Sequence, residues 1–332
     1  MTGFWKDRAV LVTGAGGFTG SNLARRLAAE GAQVRAFVRT GGSRRDLPEA
    51  VEMFEGDLTD PVDCARAVEG VDTVFHVAAV FRQLKGGPAV LKAVHVDATG
   101  HLIRAAKAAG CRRFVHTSTM GVHGHVKHGP GDENTEYGPG DDYQDTKLEG
   151  ELLARALSAE IGMPLAVVRP CGIYGPGDTR FLKMVRPISK GRFFMIGDGT
   201  PHYHFVFIDD LVAGIMLAGE KDAAVGEVFL IGGPDHPTLN ELAATIADLL
   251  GVARPRLRIP VGPIMFAGRV CEALCQPFGI EPPLHPRRVA FFTKNREYSI
   301  DKARKLLGYA PAVDHREGFR RQIEWYRKEG LI

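Results

Sequence analysis

Between residues 8 and 170 short apolar runs alternate with helical patterns, and that rhythm leaves few folds open. The runs AVLVTG, QVRAFVR, VEMFEGD, TVFHVAA, RFVHTST and LAVVRP are almost continuously hydrophobic. Runs this short, with apolar residues at successive positions, suit strands covered on both faces, the pattern of a parallel sheet with helices on each side. Between the first two, SNLARRLAAEG places Leu23 and Leu27 four apart and ends on Gly31, a residue that closes helices. The expected architecture is therefore a doubly wound α/β fold.

After about residue 172 the rhythm gives way to more Pro and Gly and to isolated amphipathic helices such as FIDDLVAGIMLAGE and TLNELAATIADLLG. Residues 1–171 are expected to form the dinucleotide-binding domain, and 172–332 mainly a smaller substrate-binding lobe with some segments returning to the main sheet. The apolar stretch from Pro255 to Pro283 is interrupted by Pro263, Arg269, Glu272 and Pro277. Charges in mid-run are costly in lipid, so it reads as a lid or substrate-wall helix and not a membrane span. No run of eighteen apolar residues occurs, and MTGFWKDRAVLVTG enters a strand directly without an export leader.

The chain has 332 residues, 45% hydrophobic and 24% charged, enough for one large core and a smaller lobe. A net charge of +3 without a dense Lys/Arg run excludes nucleic acid as an expected partner but leaves an anionic small molecule open. The five cysteines, Cys64, Cys111, Cys171, Cys271 and Cys275, lack a paired metal-ligand spacing. They read as reduced thiols, and the expected compartment is the cytoplasm.

The stretch VLVTGAGGFTGSNLARRL sets Gly14, Gly17 and Gly20 between a buried strand and a helix. Glycines there permit a tight turn and let a pyrophosphate approach the backbone at the positive end of the helix dipole. The fold class is thus a Rossmann-type α/β domain, with Phe18 and Thr19 expected beside the glycines at the cofactor. About twenty residues on, where an NAD-binding protein commonly presents an acid, the second strand ends in Arg39, followed by Ser43, Arg44 and Arg45. Those cations favour NADP over NAD.

YQDTK places Tyr143 and Lys147 four apart, on one face of a helix. A free phenol has a pKa of about 10, so a Tyr acting as a base needs positive charge nearby. Together with TGAGGFTG, GDLTD, FHVAA, FVHTSTMGVHG and RPCGIYGPGD, the motif gives a chain that resembles an extended short-chain dehydrogenase/reductase over most of its length. The resemblance implies Tyr143 as general acid/base and Lys147 as the group that lowers the phenol pKa and holds the nicotinamide ribose. It also implies that Thr119, next to Ser118, bonds the substrate oxygen. By the same resemblance Asp57 and Leu58 border the adenine, and Ala78, Ala79, Thr117, Pro170 and Ile173 line the nucleotide channel. Val80, His95, Thr119, His123 and Tyr203 are expected at the substrate. A homodimer paired through the YQDTK helix is the family habit.

Three departures narrow the substrate. His95 in HVDAT stands where the family commonly has a structural Asn, Gly172 in RPCGIYGP replaces an Asn, and Tyr203 in YHFVFIDD replaces an Arg. The last two positions contact the diphosphate in sugar-nucleotide enzymes of the family, so their loss weakens that reading. The expected function is interconversion of a secondary alcohol and a ketone on an alicyclic or fairly apolar small molecule, in the manner of 3β-hydroxysteroid dehydrogenases or ketone reductases. A nucleotide-sugar epimerase or dehydratase with tightly held NAD is the alternative, and a non-catalytic dinucleotide sensor a third. His123, His125 and His128 share a loop without accompanying carboxylates or cysteines, so no metal is expected there.

Overall fold

The computed structural model describes residues 3–43, 47–80, 87–275 and 286–332. Arg44, Arg45 and the later part of the Pro255–Pro283 stretch lie outside the described residues.

The first half of the chain runs β1 (Ala9–Thr13), α1 (Phe18–Ala29), β2 (Gln33–Arg39), β3 (Glu52–Gly56), α2 (Pro61–Ala67), β4 (Thr73–His76), α3 (Gly87–Lys92), a π-helical turn (Ala93–Asp97), α4 (Ala98–Ala108), β5 (Arg113–Thr117), a 3₁₀ turn (Met120–His123), α5 (Asp142–Ile161) and β6 (Leu165–Pro170). The second half adds β7 (Gly172–Tyr174), α6 (Leu182–Ser189), β8 (Met195–Ile196), β9 (Phe205–Phe207), α7 (Ile208–Glu220), β10 (Val228–Ile231), α8 (Leu239–Leu250), β11 (Arg258–Ile259), α9 (Val261–Cys275), α10 (Pro286–Thr293), α11 (Asp301–Leu307) and α12 (His315–Lys328).

All six apolar runs singled out in the sequence are strands of one 7-stranded sheet, ordered β10-β6-β5-β4-β1-β2-β3. Every pairing is parallel, with Val10 opposite Val34 on one side and Thr73 on the other. Val10 and Val12 point into one core and Leu11 into the other, which is why the run is continuously apolar. Helices α1 and α7 pack together on one face of the sheet, and α2, α4 and α5 on the other. The direction of winding reverses between β1 and β4, so a crevice opens at their C-terminal ends, where this topology binds ligands.

The seventh strand, β10, comes from the second half and joins β6, with Val228 opposite Val167. Two short parallel pairs, β7–β9 and β8–β11, lie outside the main sheet. Tyr174 of β7 stacks on Phe319 of α12 with centroids 4.7 Å apart, in an apolar core continuous with the sheet. No helix among the described residues is long and apolar enough to cross a membrane.

Helix α5 begins where the Asp141 carboxylate accepts the Gln144 N–H and stops at Gly162, whose φ of +68° favours a residue without a side chain. It is clamped to β6 by a wholly buried ion pair: Arg169 Nε and Nη2 reach Glu151 Oε2 and Oε1 at 3.0 and 2.5 Å. The same guanidinium donates to His123 Nε2, to Glu133 O and to the Tyr137 hydroxyl, each at 2.9 Å. Removing one partner of such a pair strands a buried charge. We therefore expect Glu151→Ala to cost about 3–5 kcal/mol in urea unfolding, and Glu151→Leu/Arg169→Met to cost less than the single change. A loss no larger than that of an exposed pair would show that water replaces the carboxylate.

Candidate active site

Because every strand of the sheet is parallel, the strand ends that carry the expected site residues share one edge. At the end of β1 the chain is pared to backbone. Gly14 has φ of +68°, and a Cβ on it would lie 2.7 Å from Ala78 Cα; one on Gly20 would lie 2.3 Å from Gly14 O. Helix α1 follows from Gly17 without a side-chain cap on its first N–H groups. Bare backbone at an uncapped helix start is a cradle that fits a pyrophosphate. Phe18 and Thr19, in the first turn, are partly exposed.

The Thr13 hydroxyl ties the neighbouring strand end to the loop. It accepts the Val77 and Ala78 N–H groups at 3.1 and 3.2 Å and donates to His76 Nδ1 at 2.9 Å. His76 Nε2–H continues to Thr99 Oγ1 at 3.0 Å, and Thr99 donates to His95 O at 2.8 Å. Burial first, then the Lys147 charge, pushes the His76 pKa down to about 3, so this chain of bonds is neutral and oriented. Arg39 is exposed at the end of β2, whose turn runs close enough that a Cβ on Gly16 would meet Ser43 O at 2.3 Å. Asp57 is exposed after β3, one oxygen accepting from the Thr59 N–H and hydroxyl, with Leu58 partly buried and Ala79 exposed.

Lys147 is only 2% exposed, and its ammonium donates to Thr117 O at 2.6 Å. Burial pushes its pKa down to about 8, with Glu151 one turn further on pulling it back up. Tyr143, one turn earlier on the same face, is partly exposed and meets the His95 ring edge-on at 5.4 Å. Desolvation raises the phenol to about 12, Arg180 lowers it and Asp141 raises it. Arg180 is thus a cation that acts on this phenol, and the Lys147 ammonium donates to the Thr117 carbonyl. Thr119 accepts the Gly121 N–H at 3.1 Å and caps the 3₁₀ turn. Beside it the Thr117 and Ser118 hydroxyls are buried without a partner among the described residues, so polar atoms of a ligand could complete them.

The structure commits two of the expected substrate histidines to protein. His95 Nε2 accepts the Val80 N–H at 3.0 Å, and its Nδ1–H points to Thr146 Oγ1 at 2.9 Å, a hydroxyl that in turn donates to Asp142 O. His95 is buried and its pKa falls to about 3, so it is a neutral brace between the Val80 loop and α5. The π-helical turn Ala93–Asp97 presents it, and such turns recur at functional sites. His123 is buried against Arg169 and stacks on Tyr137. His125 is exposed and accepts the Asn295 N–H, and His128 is exposed. Among the described residues the His/Cys/Asp/Glu group with metal-like spacing is instead His202, His236 and Glu297, within 4.8 Å of one another.

Pro170 is buried at the end of β6, and Ile173 on β7 is partly exposed, its carbonyl accepting from Arg180 Nη2 at 2.9 Å. Tyr203 is partly exposed and stacks on Phe205 with centroids 4.5 Å apart. Sequence reasoning missed Arg180, Thr146 and the Glu151–Arg169 clamp. The acid four residues beyond Lys147 was the one local signal for the clamp; the others depend on contacts across the chain.

The family model described as "NAD dependent epimerase/dehydratase family" matches residues 10–232. The "3 beta-hydroxysteroid dehydrogenase/Delta 5-->4-isomerase" of Mycobacterium tuberculosis is 32% identical, over 96% of this chain and 90% of its own length. The "2-alkyl-3-oxoalkanoate reductase" of Stenotrophomonas maltophilia is 31% identical, over 94% of this chain and 97% of its own. Among solved structures, the dTDP-glucose 4,6-dehydratase DesIV of Streptomyces venezuelae, with NAD and TYD bound, superposes with a TM-score of 0.77. It is 27% identical and covers 97% of this chain and 98% of that one. The chain belongs to the NAD-dependent epimerase/dehydratase family, the extended short-chain dehydrogenase/reductases.

Proposed function

We propose that this NAD(P)-dependent oxidoreductase interconverts a secondary alcohol and a ketone on an alicyclic or fairly apolar substrate, with Tyr143 as general acid/base. One observation carries the reading: a buried Lys147 anchored at Thr117 O, with Tyr143 one turn away on the same helix face, beside the Thr117 and Ser118 hydroxyls that find no partner among the described residues. The steroid dehydrogenase and the oxoalkanoate reductase among the relatives support it, since both are named for redox at a hydroxyl or oxo group. The likeness to a sugar-nucleotide dehydratase keeps transient oxidation of a sugar as the alternative, which the loss of Asn at 172 and Arg at 203 disfavours.

Gly14, Gly17 and Gly20 with the uncapped start of α1 would hold the pyrophosphate, and Arg39 the 2′-phosphate of NADP, the cofactor we assign as preferred. Asp57, Leu58, Ala78 and Ala79 would flank the nucleotide, and Lys147 the nicotinamide ribose. The nicotinamide, when bound, supplies the hydride donor or acceptor. Tyr143 then gives its phenolic proton to the forming alkoxide, or takes it back in the oxidative direction, while Thr119 orients that oxygen. A phenol held near 12 is protonated at neutral pH and suits reduction; in oxidation it needs positive charge nearby, such as that of Arg180, which already pulls it down. The cytoplasm and a homodimer paired through α5, where Leu152 is 43% exposed, complete the proposal.

Tyr143→Phe is expected to lower turnover about 10²–10⁴-fold with NADP affinity unchanged; turnover like that of the wild type would refute the assignment. Arg39→Asp should move the ratio of NADP to NAD affinity towards NAD, and an unchanged ratio in a titration would remove Arg39 from the 2′-phosphate site. Lys147 tests the burial argument through pH. Its folded pKa of about 8 lies below the ordinary 10.5, so the unfolded chain binds more protons between those values and the charge penalty is relieved as pH rises through them. At pH 7 that penalty is on the order of 3 kcal/mol. Lys147→Met should therefore unfold at higher urea than the wild type at pH 7, with the gap narrowing towards pH 10; a gap independent of pH contradicts the buried ammonium.

A further inference from the structure

Three metal-ligating side chains converge from segments that are distant in sequence. His202 precedes β9, His236 lies in the loop between β10 and α8, and Glu297 follows α10. A ligand atom of each lies within 4.8 Å of those of the other two. His236 Nδ1 and Glu297 Oε1 are 3.3 Å apart. Two ligands on one tetrahedral zinc, each bonded at about 2.0–2.1 Å, stand about 3.3–3.4 Å from each other. That pair is therefore at chelating distance. All three residues are partly exposed, so one side of the cluster is open to water.

The backbone around the cluster orients the ligands. The His202 Nδ1–H donates to His236 O at 2.7 Å. A carbonyl only accepts, so the proton is on Nδ1 and the lone pair of Nε2 is left for a metal. A bond of this kind from the second ring nitrogen is what commonly supports a metal-bound histidine. The His202 N–H donates to Asn295 Oδ1 at 2.8 Å, Tyr203 N–H to Pro237 O at 3.0 Å and Arg296 N–H to His202 O at 2.9 Å, so the three segments are pinned to one another. His202 and His204 both meet the His236 ring at 5.6 Å, whereas Tyr203 between them meets Phe205 and Phe291. Alternate residues of an extended segment face opposite sides, which puts the cluster on the face away from those aromatic contacts.

Glu297 brings the negative charge. Its side chain is 19% exposed, and His236 is its one side-chain partner among the described residues. The other oxygen, Oε2, lies against Gly129, where a Cβ would come within 2.6 Å of it, so the glycine leaves the carboxylate its place. A carboxylate beside two imidazoles is neutralised either by protonation of a ring or by a divalent cation, and only the cation also uses the His202 lone pair. We propose that His202, His236 and Glu297 form a site for a divalent transition-metal ion of the zinc type, a clasp that fastens the second half of the chain to the loop after β5. Two imidazoles and one carboxylate suit zinc better than calcium or magnesium, and three protein ligands leave the fourth position to water. The segment so held reaches that loop through Glu297 O, which accepts the Gly131 N–H at 2.9 Å, and through Tyr298 Oη, which donates to Met120 O at 3.2 Å. The site is independent of the redox reading above.

The test uses the whole protein, stripped with EDTA and titrated with zinc chloride against a chromophoric chelator. The wild type should bind one equivalent of zinc. His202→Ala and the isosteric Glu297→Gln should each weaken that binding by more than about tenfold, with NADP affinity unchanged as the sign that the fold survives. Cys271, partly exposed, is the competing soft ligand, and Cys271→Ser should bind zinc like the wild type. Saturating zinc should raise the urea midpoint of the wild type and leave that of Glu297→Gln where it was, because the ion binds the folded chain alone. A wild type that binds no equivalent of zinc overturns the proposal, as does an equivalent undiminished in both cluster variants or lost in Cys271→Ser.

Discussion

One face of α5 organises this enzyme. Tyr143, Lys147 and Glu151 recur at four-residue spacing and so project from the same side of the helix, towards the C-terminal edge of the sheet. Glu151 is locked to Arg169 of β6 in a dry ion pair, and that lock fixes the height and rotation of the whole face. It also places a carboxylate one turn from the Lys147 ammonium, which is the charge that offsets part of the lysine's burial. The cost of sinking three ionised groups is met by bonds that leave few of their polar atoms idle: His123, Tyr137 and Glu133 O on the arginine, Thr117 O on the lysine.

A positive charge buried in this way shapes its surroundings. His76, His95 and His116 all lie within the field of Lys147, and for each the first cause of a lowered pKa is burial and the second is that lysine. They are neutral imidazoles, and two of them work as fixed hydrogen-bond connectors, from Thr13 through His76 to Thr99, and from Val80 through His95 to Thr146. The end of β1, the loop after β4 and helix α5 are joined by this neutral scaffold. A histidine where the family commonly has an asparagine is thus a positioning residue here, supplying two ring nitrogens where an amide would supply an oxygen and a nitrogen.

The two sides of the crevice are built on different physics. At the end of β1 the backbone is stripped bare and the dipole end of α1 is left open. Across from it aromatic rings from β9, its leading segment and α10 pack against one another. The relatives include enzymes named for steroids and for alkyl oxo acids, and the solved structures include sugar-nucleotide enzymes.

The sequence by itself determined the parallel sheet, the glycine turn and the Tyr–Lys pair, because each is a local pattern. Buried strands are apolar at every position, a phosphate turn needs glycines in a row, and a helix face needs only a spacing of four. It led to the expectation that segments of the second half return to the main sheet but did not single out Val228–Ile231 as one, since four apolar residues after a helix carry too little period to be told from a loop. It placed His95 and His123 at the substrate, whereas the fold turns both into contacts with protein. The Glu151–Arg169 clamp, the Arg180 field on Tyr143 and the gathering of His202, His236 and Glu297 were decided by tertiary structure alone. Those partners are far apart in the chain, and only the packing of one segment on another sets which buried charge finds which partner, or which side chains meet in one cluster.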